Sequence, residues 1–414
     1  MLTLHRLLYR LLAIILGCLL VGTLAGFITG KRVGSDEAAD RRRPLPNGSI
    51  LCKPGPWGEL SYTPFSIAAP DELLPVRAIE ANGTRWFFKG YTADSFITLL
   101  QTTSLTPEQQ NQLLGPAVFG VRPDGIELTP TSDMVISLPQ DARGKMYQIL
   151  AQSDENGDEV NFMPREALNE WFAASGVSPD TVALFKKLCC QRGGYLMFSG
   201  VSAMLSRIPT YEEKLHFLKA LTRQQTMLLR LHLTPESDVD ALANYWGTGC
   251  WHTDVRTMIE SLTTIPGGTW MSIMMVLPPQ PTAEIYDYPR IVDNPLEGPA
   301  VNRDCAWTSL NFFRDTPDPS FGTMPGVLKE LKANYRPVPG SPRYGDVVLF
   351  ARPDGFIVHA AVYIADDICF TKNGSTLMHP WMLSTTSDIV QQFAFQLDPD
   401  QKLTIKYFRN KEFL

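Results

Sequence analysis

Residues 302–381 constrain this chain more than any other stretch. They open Asn-Arg-Asp-Cys-Ala-Trp-Thr-Ser-Leu-Asn-Phe-Phe. Asp304 is a good helix cap, Cys305 follows it, and Leu310 and Phe313 are spaced to face a core. Short β-rich runs come next. Residues 347–350 follow a Gly345-Asp346 turn, residues 359–364 follow an Asp354-Gly355 hairpin signal, and residues 368–371 lie beyond Asp366-Asp367. A buried helix followed by an antiparallel meander is an α+β layout. Within it, a cysteine stands at the head of the helix and a histidine, His359, at the start of a strand.

Those two residue types form a familiar chemical pair. A free thiol, with a pKa of about 8.5, is mostly protonated at neutral pH, and only the thiolate is a strong nucleophile. A helix N-terminus favours an anion, and a nearby imidazole can take the thiol proton. Sequence distance is no objection, because the two groups meet through the fold. Cys305 is therefore the candidate nucleophile and His359 the candidate base. A third group must hold the imidazole in its working tautomer. Asn373 is the first candidate, Thr371 the second and His379 the third. Trp381 is expected to pack over the site, Tyr363 and Phe370 to lie in the core, and Lys372 to be a solvated turn residue.

Asp304-Cys305-Ala-Trp, Gly345-Asp346-Val-Val-Leu-Phe and His359-Ala-Ala-Val-Tyr-Ile, in that order, resemble the NlpC/P60 cysteine peptidases. That resemblance covers the last third of the chain. It implies a papain-like fold, Cys305 as nucleophile, His359 as base, no metal or organic cofactor, and a peptide or peptidoglycan-like substrate. Two departures are plain. Ala306-Trp307 replaces the family's usual Ser-Gly, placing an indole near the nucleophile. The aromatic and glycine run that usually precedes the cysteine is replaced by Gly298-Pro299-Ala300-Val301, so no oxyanion tyrosine carries over. The function implied is a cell-envelope thiol hydrolase that cleaves an amide bond. The alternatives are an inactive binding or scaffold module of the same type, with Trp307, Thr371 and Trp381 as binding residues, and a cysteine-dependent acyl or amide transferase.

The rest of the chain sets the context. Arg6 and Arg10 precede an uncharged apolar run over residues 11–30. About 20 apolar residues suffice to cross a bilayer as a helix, and a cleaved signal peptide has a similar form. Residues 1–30 are thus read as a membrane anchor or signal peptide, which implies an exported or anchored protein of the bacterial cell envelope. Residues 31–60, rich in Arg, Pro and Gly, read as a linker. Residues 61–265 read as a mainly helical domain of unknown role, apart from a strand near Trp86 and strands and turns over residues 116–138. Residues 266–414 read as the NlpC/P60-like domain. The formal net charge of −6 argues against a nucleic-acid partner. The seven cysteines show no C-x-x-C spacing, so they indicate neither a zinc site nor a disulfide framework. His216, His232 and His252 are too scattered for a metal site.

Overall fold

A computed structural model of the chain describes residues 48–156, 159–249, 252–290, 303–397 and 401–413. Helix and antiparallel sheet are mixed throughout. The chain divides into two compact units, with other limits than residues 61–265 and 266–414. One unit takes the chain up to Ile67, then Gln224–Phe393, then the C-terminal residues from Pro399; the other takes Ala68–Arg223 and Ala394–Asp398.

The first unit begins with β1 (Ile50–Leu51) and β2 (Glu59–Ile67). The chain then enters the second unit. There β3 (Trp86–Lys89), β4 (Phe119–Arg122) and β5 (Gly125–Leu128) form an antiparallel sheet in the order β3-β5-β4. A second sheet contains β6 (Val160–Pro164), β7 (Cys190–Arg192) and β8 (Tyr195–Ser199) in the order β6-β8-β7. Helix starts obey local chemistry. Thr92 and Thr106 close capping boxes with Ser95 and Gln109, and Pro107 takes the first helical position. Trp86, Phe88, Phe96 and Tyr147 lie in one core cluster. Its polar ends are satisfied: Trp86 Nε1 donates to Ser199 Oγ at 2.8 Å, and the Tyr147 hydroxyl donates to the Ser199 carbonyl at 2.9 Å.

Returning to the first unit, β9 (Gln224–Leu233) pairs along the whole of β2, and β10 (Thr269–Ser272) completes the order β1-β2-β9-β10. Helices α1 (Val239–Trp246), α2 (His252–Thr263) and α3 (Pro279–Glu284) lead towards α4 (Cys305–Leu310) and α5 (Met324–Asn334). A six-stranded antiparallel sheet follows, made of β11 (Tyr335–Pro337), β12 (Val347–Ala351), β13 (Ile357–Ala365), β14 (Ile368–Lys372), β15 (Trp381–Thr385) and β16 (Thr404–Asn410). Its order is β11-β16-β12-β13-β14-β15, with α6 (Thr386–Phe393) after β15. Every residue of β12, β14 and β15 is buried, including the polar Thr371, Lys372, Ser384 and Thr385 at the ends of β14 and β15.

The Gly345-Asp346 pair has a structural reason here. Gly345 has φ +86°, and a Cβ there would lie 2.2 Å from the Phe313 ring. Asp346 accepts two hydrogen bonds from Arg409, Nε to Oδ1 and an amino nitrogen to Oδ2, each 2.7 Å. That ion pair ties β16 to the start of β12.

The mixture of helix and antiparallel sheet fits the α+β class, but the membrane segment needs correction. Among the described residues no helix is long and apolar enough to cross a membrane, and residues 11–30 lie outside them. The middle region, residues 61–265, carries more helix than strand, as expected, but it also holds β3 to β9 and most of β2. The clearest misreading is β9. Its leucines suit a helix, but Met227, Leu229, Leu231 and Leu233 are buried at alternate positions, and pairing with β2 decides the conformation. The reverse holds at residues 134–138, expected to be a strand. There Thr131 accepts from the Met134 N–H and caps a helix, Ser132–Ser137. The apolar run at residues 269–277 is β10 only as far as Ser272, then a 3₁₀ turn over Ile273–Met275.

Candidate active site

Helix α4 starts at Cys305 because Asp304 caps it. Asp304 Oδ1 accepts from the N–H groups of Ala306 and Trp307, both at 2.9 Å. The helix is pinned to the sheet by Trp381, whose Nε1 donates to Thr308 Oγ1 at 3.0 Å. Cys305 is half-buried and its thiol is free. Burial pushes the thiol up to about 12, and the Asp304 carboxylate adds to the effect. The N–H groups of Ala360 and Ala306, and the Lys372 ammonium, pull the other way.

His359 is buried on β13 and stacks on Phe393 of α6, with ring centroids 4.3 Å apart. Its Nε2 lies 2.7 Å from Thr371 Oγ1. The Thr371 hydroxyl donates to Asn373 Oδ1 at 3.0 Å, and Asn373 Nδ2 donates to Gln392 Oε1 at 2.8 Å. These bonds fix the tautomer. Because the Thr371 proton is committed to Asn373, its oxygen accepts from His359, so Nε2 carries the ring proton and Nδ1 keeps a lone pair. Burial lowers the imidazole to about 3, partly opposed by Asn373, so the ring is neutral at neutral pH.

Thiol and imidazole flank one seam. Tyr363 exchanges backbone hydrogen bonds with Gly345 and Asp346 on the β12 side, so by alternation the Ala360 N–H points to the β14 side. The β13–β14 register runs as far as Val362↔Phe370. Beyond that point the Cys305 thiol lies near the Ala360 N–H, on the residue after His359. His359 and Thr371 share one face of the sheet, and alternation puts Lys372 on the opposite face. Trp381, the register partner of Lys372, is also bonded to α4. Helix α4 therefore brings the thiol from one face, while the imidazole bridges to Thr371 on the other. Among the described residues no hydrogen bond joins the thiol to the imidazole.

The other candidates fall as follows. Thr371, second choice for the third group, lies closest to His359 Nε2, and Asn373, the first choice, bonds Thr371 and also hydrogen-bonds the His359 side chain. His379 is engaged elsewhere, with Nδ1 2.7 Å from Thr376 Oγ1, and burial lowers it to about 4. Trp307 is buried with the Arg303 guanidinium 5.1 Å from its ring centroid. Two residues along a helix point in diverging directions, so its indole leaves the axis away from Cys305. Trp381 packs between β15 and α4.

Sequence reasoning missed Lys372 and Glu284. Lys372, expected in solvent, is fully buried, and its Nζ donates to the carbonyls of Gly374 (2.6 Å) and Thr376 (3.1 Å). Burial lowers it to about 8, against the pull of Cys305, Asp304 and Glu284. Burial raises Glu284 to about 7, with Arg303, 3.8 Å away, opposing. The available signal was a lysine placed directly after the apolar run Ile-Cys-Phe-Thr.

No family model, no curated protein and no solved structure matches this chain.

Proposed function

We propose that the protein is a thiol hydrolase that cleaves an amide bond, with a cell-wall peptide or a similar chain at the bacterial envelope as substrate. Cys305 is the nucleophile and His359 the base. The observation that carries this reading is the free Cys305 thiol at the head of a capped helix, together with a His359 ring held through Thr371 and Asn373 so that Nδ1 keeps its lone pair. The likeness to NlpC/P60 peptidases in three ordered motifs supports it.

The resting pair is a neutral thiol and a neutral imidazole, so attack and proton transfer are coupled. The sulfur forms a bond to the carbonyl carbon and the thiol proton passes to His359 Nδ1, a step that requires α4 and the His359 ring, which lie on opposite faces of the sheet at rest, to close on one another around the substrate. The C–N bond then breaks, and the same proton passes to the leaving amine. Water, deprotonated by His359, attacks the thioester; the carboxylate product leaves and the thiol is restored. The Ala360 N–H near the sulfur is the backbone donor that can face the oxyanion, since the Ala306 N–H is committed to the Asp304 cap.

The test is amine release from cell-wall peptides by the full chain. Release is expected for the wild type and is lost in both Cys305→Ala and His359→Ala. Release that persists in Cys305→Ala overturns the reading. A product bearing an acceptor other than water would make the protein a transferase that uses the same pair.

A further inference from the structure

The residues on the Cys305 side of the seam include a buried cation that this mechanism does not use. We propose that the Lys372 ammonium is a charge-positioning group for Cys305, supplying the counter-charge when the sulfur becomes negative. The geometry is specific. Two carbonyls, those of Gly374 and Thr376, hold Nζ in place and use two of its three N–H bonds. The stem is buried, and Nζ lies 5.9 Å from the centroid of the Trp381 ring, the same indole that anchors α4. The chain has thus placed an ammonium, lowered by burial to about 8 and so mostly charged at neutral pH, beside the helix that carries the thiol. At rest His359 does not supply that charge, because its ring is neutral and becomes cationic only on taking the thiol proton.

The charged and titratable neighbours define the balance. Asp304 opposes negative charge on the sulfur and Lys372 favours it. Lys372 in turn faces Cys305, Asp304 and Glu284, and it lowers His379. Glu284 faces Arg303, Lys372 and Asp287. Sulfur charge in this cluster is therefore set by a lysine pulling against the carboxylate of the cap. A deprotonated Cys305 would be stabilised while Lys372 is protonated.

The proposal rests on Cys305 as the nucleophile, and thiol alkylation tests it separately from hydrolysis. The probe is iodoacetamide on the full chain, with the label located on Cys305 by mass spectrometry. An S–C bond forms, iodide leaves and the thiol proton goes to solvent. Lys372→Met should raise the midpoint of the pH–rate profile by about one unit or more, the scale of an opposite charge at close range. Lys372→Gln, whose amide can still donate to the two carbonyls, should shift it the same way, and Lys372→Arg should restore it. Asp304→Asn keeps a capping oxygen and should move the midpoint down, which general damage to the fold would not do. An unchanged midpoint in both neutral lysine variants overturns the proposal. If that happens while Cys305→Ala and His359→Ala still abolish amine release, the lysine role fails and the hydrolase reading stands. If His359→Ala leaves release intact while the lysine variants shift the profile, the reverse holds.

Discussion

Thr371→Val is the sharpest perturbation of the relay. Valine matches threonine in shape and suits a strand, so the change removes a hydroxyl and little else. That hydroxyl makes two bonds, accepting from His359 Nε2 at 2.7 Å and donating to Asn373 Oδ1 at 3.0 Å. His359, Thr371 and Asn373 are all buried, so solvent is poorly placed to replace it. A buried polar group left without a partner costs about 1–3 kcal/mol. Two lose a partner here, which gives a loss of roughly 2–6 kcal/mol in unfolding free energy, at the low end because ring and amide also bond each other. Activity should fall further, because the hydroxyl no longer commits the ring proton to Nε2. Losing about 1–3 kcal/mol of tautomer preference corresponds to a roughly tenfold to hundredfold drop in rate. The assays are urea unfolding and amine release, with Thr371→Ser as the control that restores the hydroxyl. A Thr371→Val protein as stable and as active as the wild type would refute the relay. So would a Thr371→Ser protein as impaired as Thr371→Val.

Asp346→Asn should destabilise the protein by roughly 3–5 kcal/mol, because it leaves the largely buried Arg409 guanidinium facing a neutral amide. Urea unfolding measures this, and a loss within error of zero would show that the pair is not needed to hold β16. Acid should weaken the fold through two histidines. His359 and His379 sit at about 3 and about 4 when folded, below their unfolded value of 6.5. The unfolded chain then binds more protons between those limits. The stability is fully present above about 6.5 and falls with pH by up to ~1.4 kcal/mol per unit per group, levelling below the folded values. Glu284 acts in the opposite direction between about 7 and its unfolded 4.5, since its folded form binds the proton more readily. Unfolding measured at several pH values should therefore show a shallower acid slope in His379→Gln, and an unchanged slope would count against a neutral buried His379.

Much of the C-terminal layout was legible because its signals are local. Asp304 caps α4, Gly345 turns the chain into β12, and the runs at residues 347–350, 359–364 and 368–371 are strands where the sequence places them. The strands of the middle region were less legible, because they depend on partners far away in sequence. β9 is leucine-rich and becomes a strand by pairing with β2, more than 150 residues earlier. The order of the third group was also out of reach. Thr371 and Asn373 both lie on the His359 face, and their order is set by side-chain distance, which spacing does not encode.

Lys372 is a different case, because strand parity alone implies its place. Once Thr371 and Asn373 are assigned to the face of His359, the residue between them must point to the other face. That face cannot be solvent if a buried helix lies on it, and the helix with Trp307 and Leu310 buried is the one headed by Cys305. A lysine in that position meets the cysteine's side of the sheet, whatever the identity of the third group. Its charge could not have been set aside as a turn residue's without also giving up the meander that makes His359 a partner for Thr371. The relay therefore fixes the face of Lys372, and the helix packed on that face buries it.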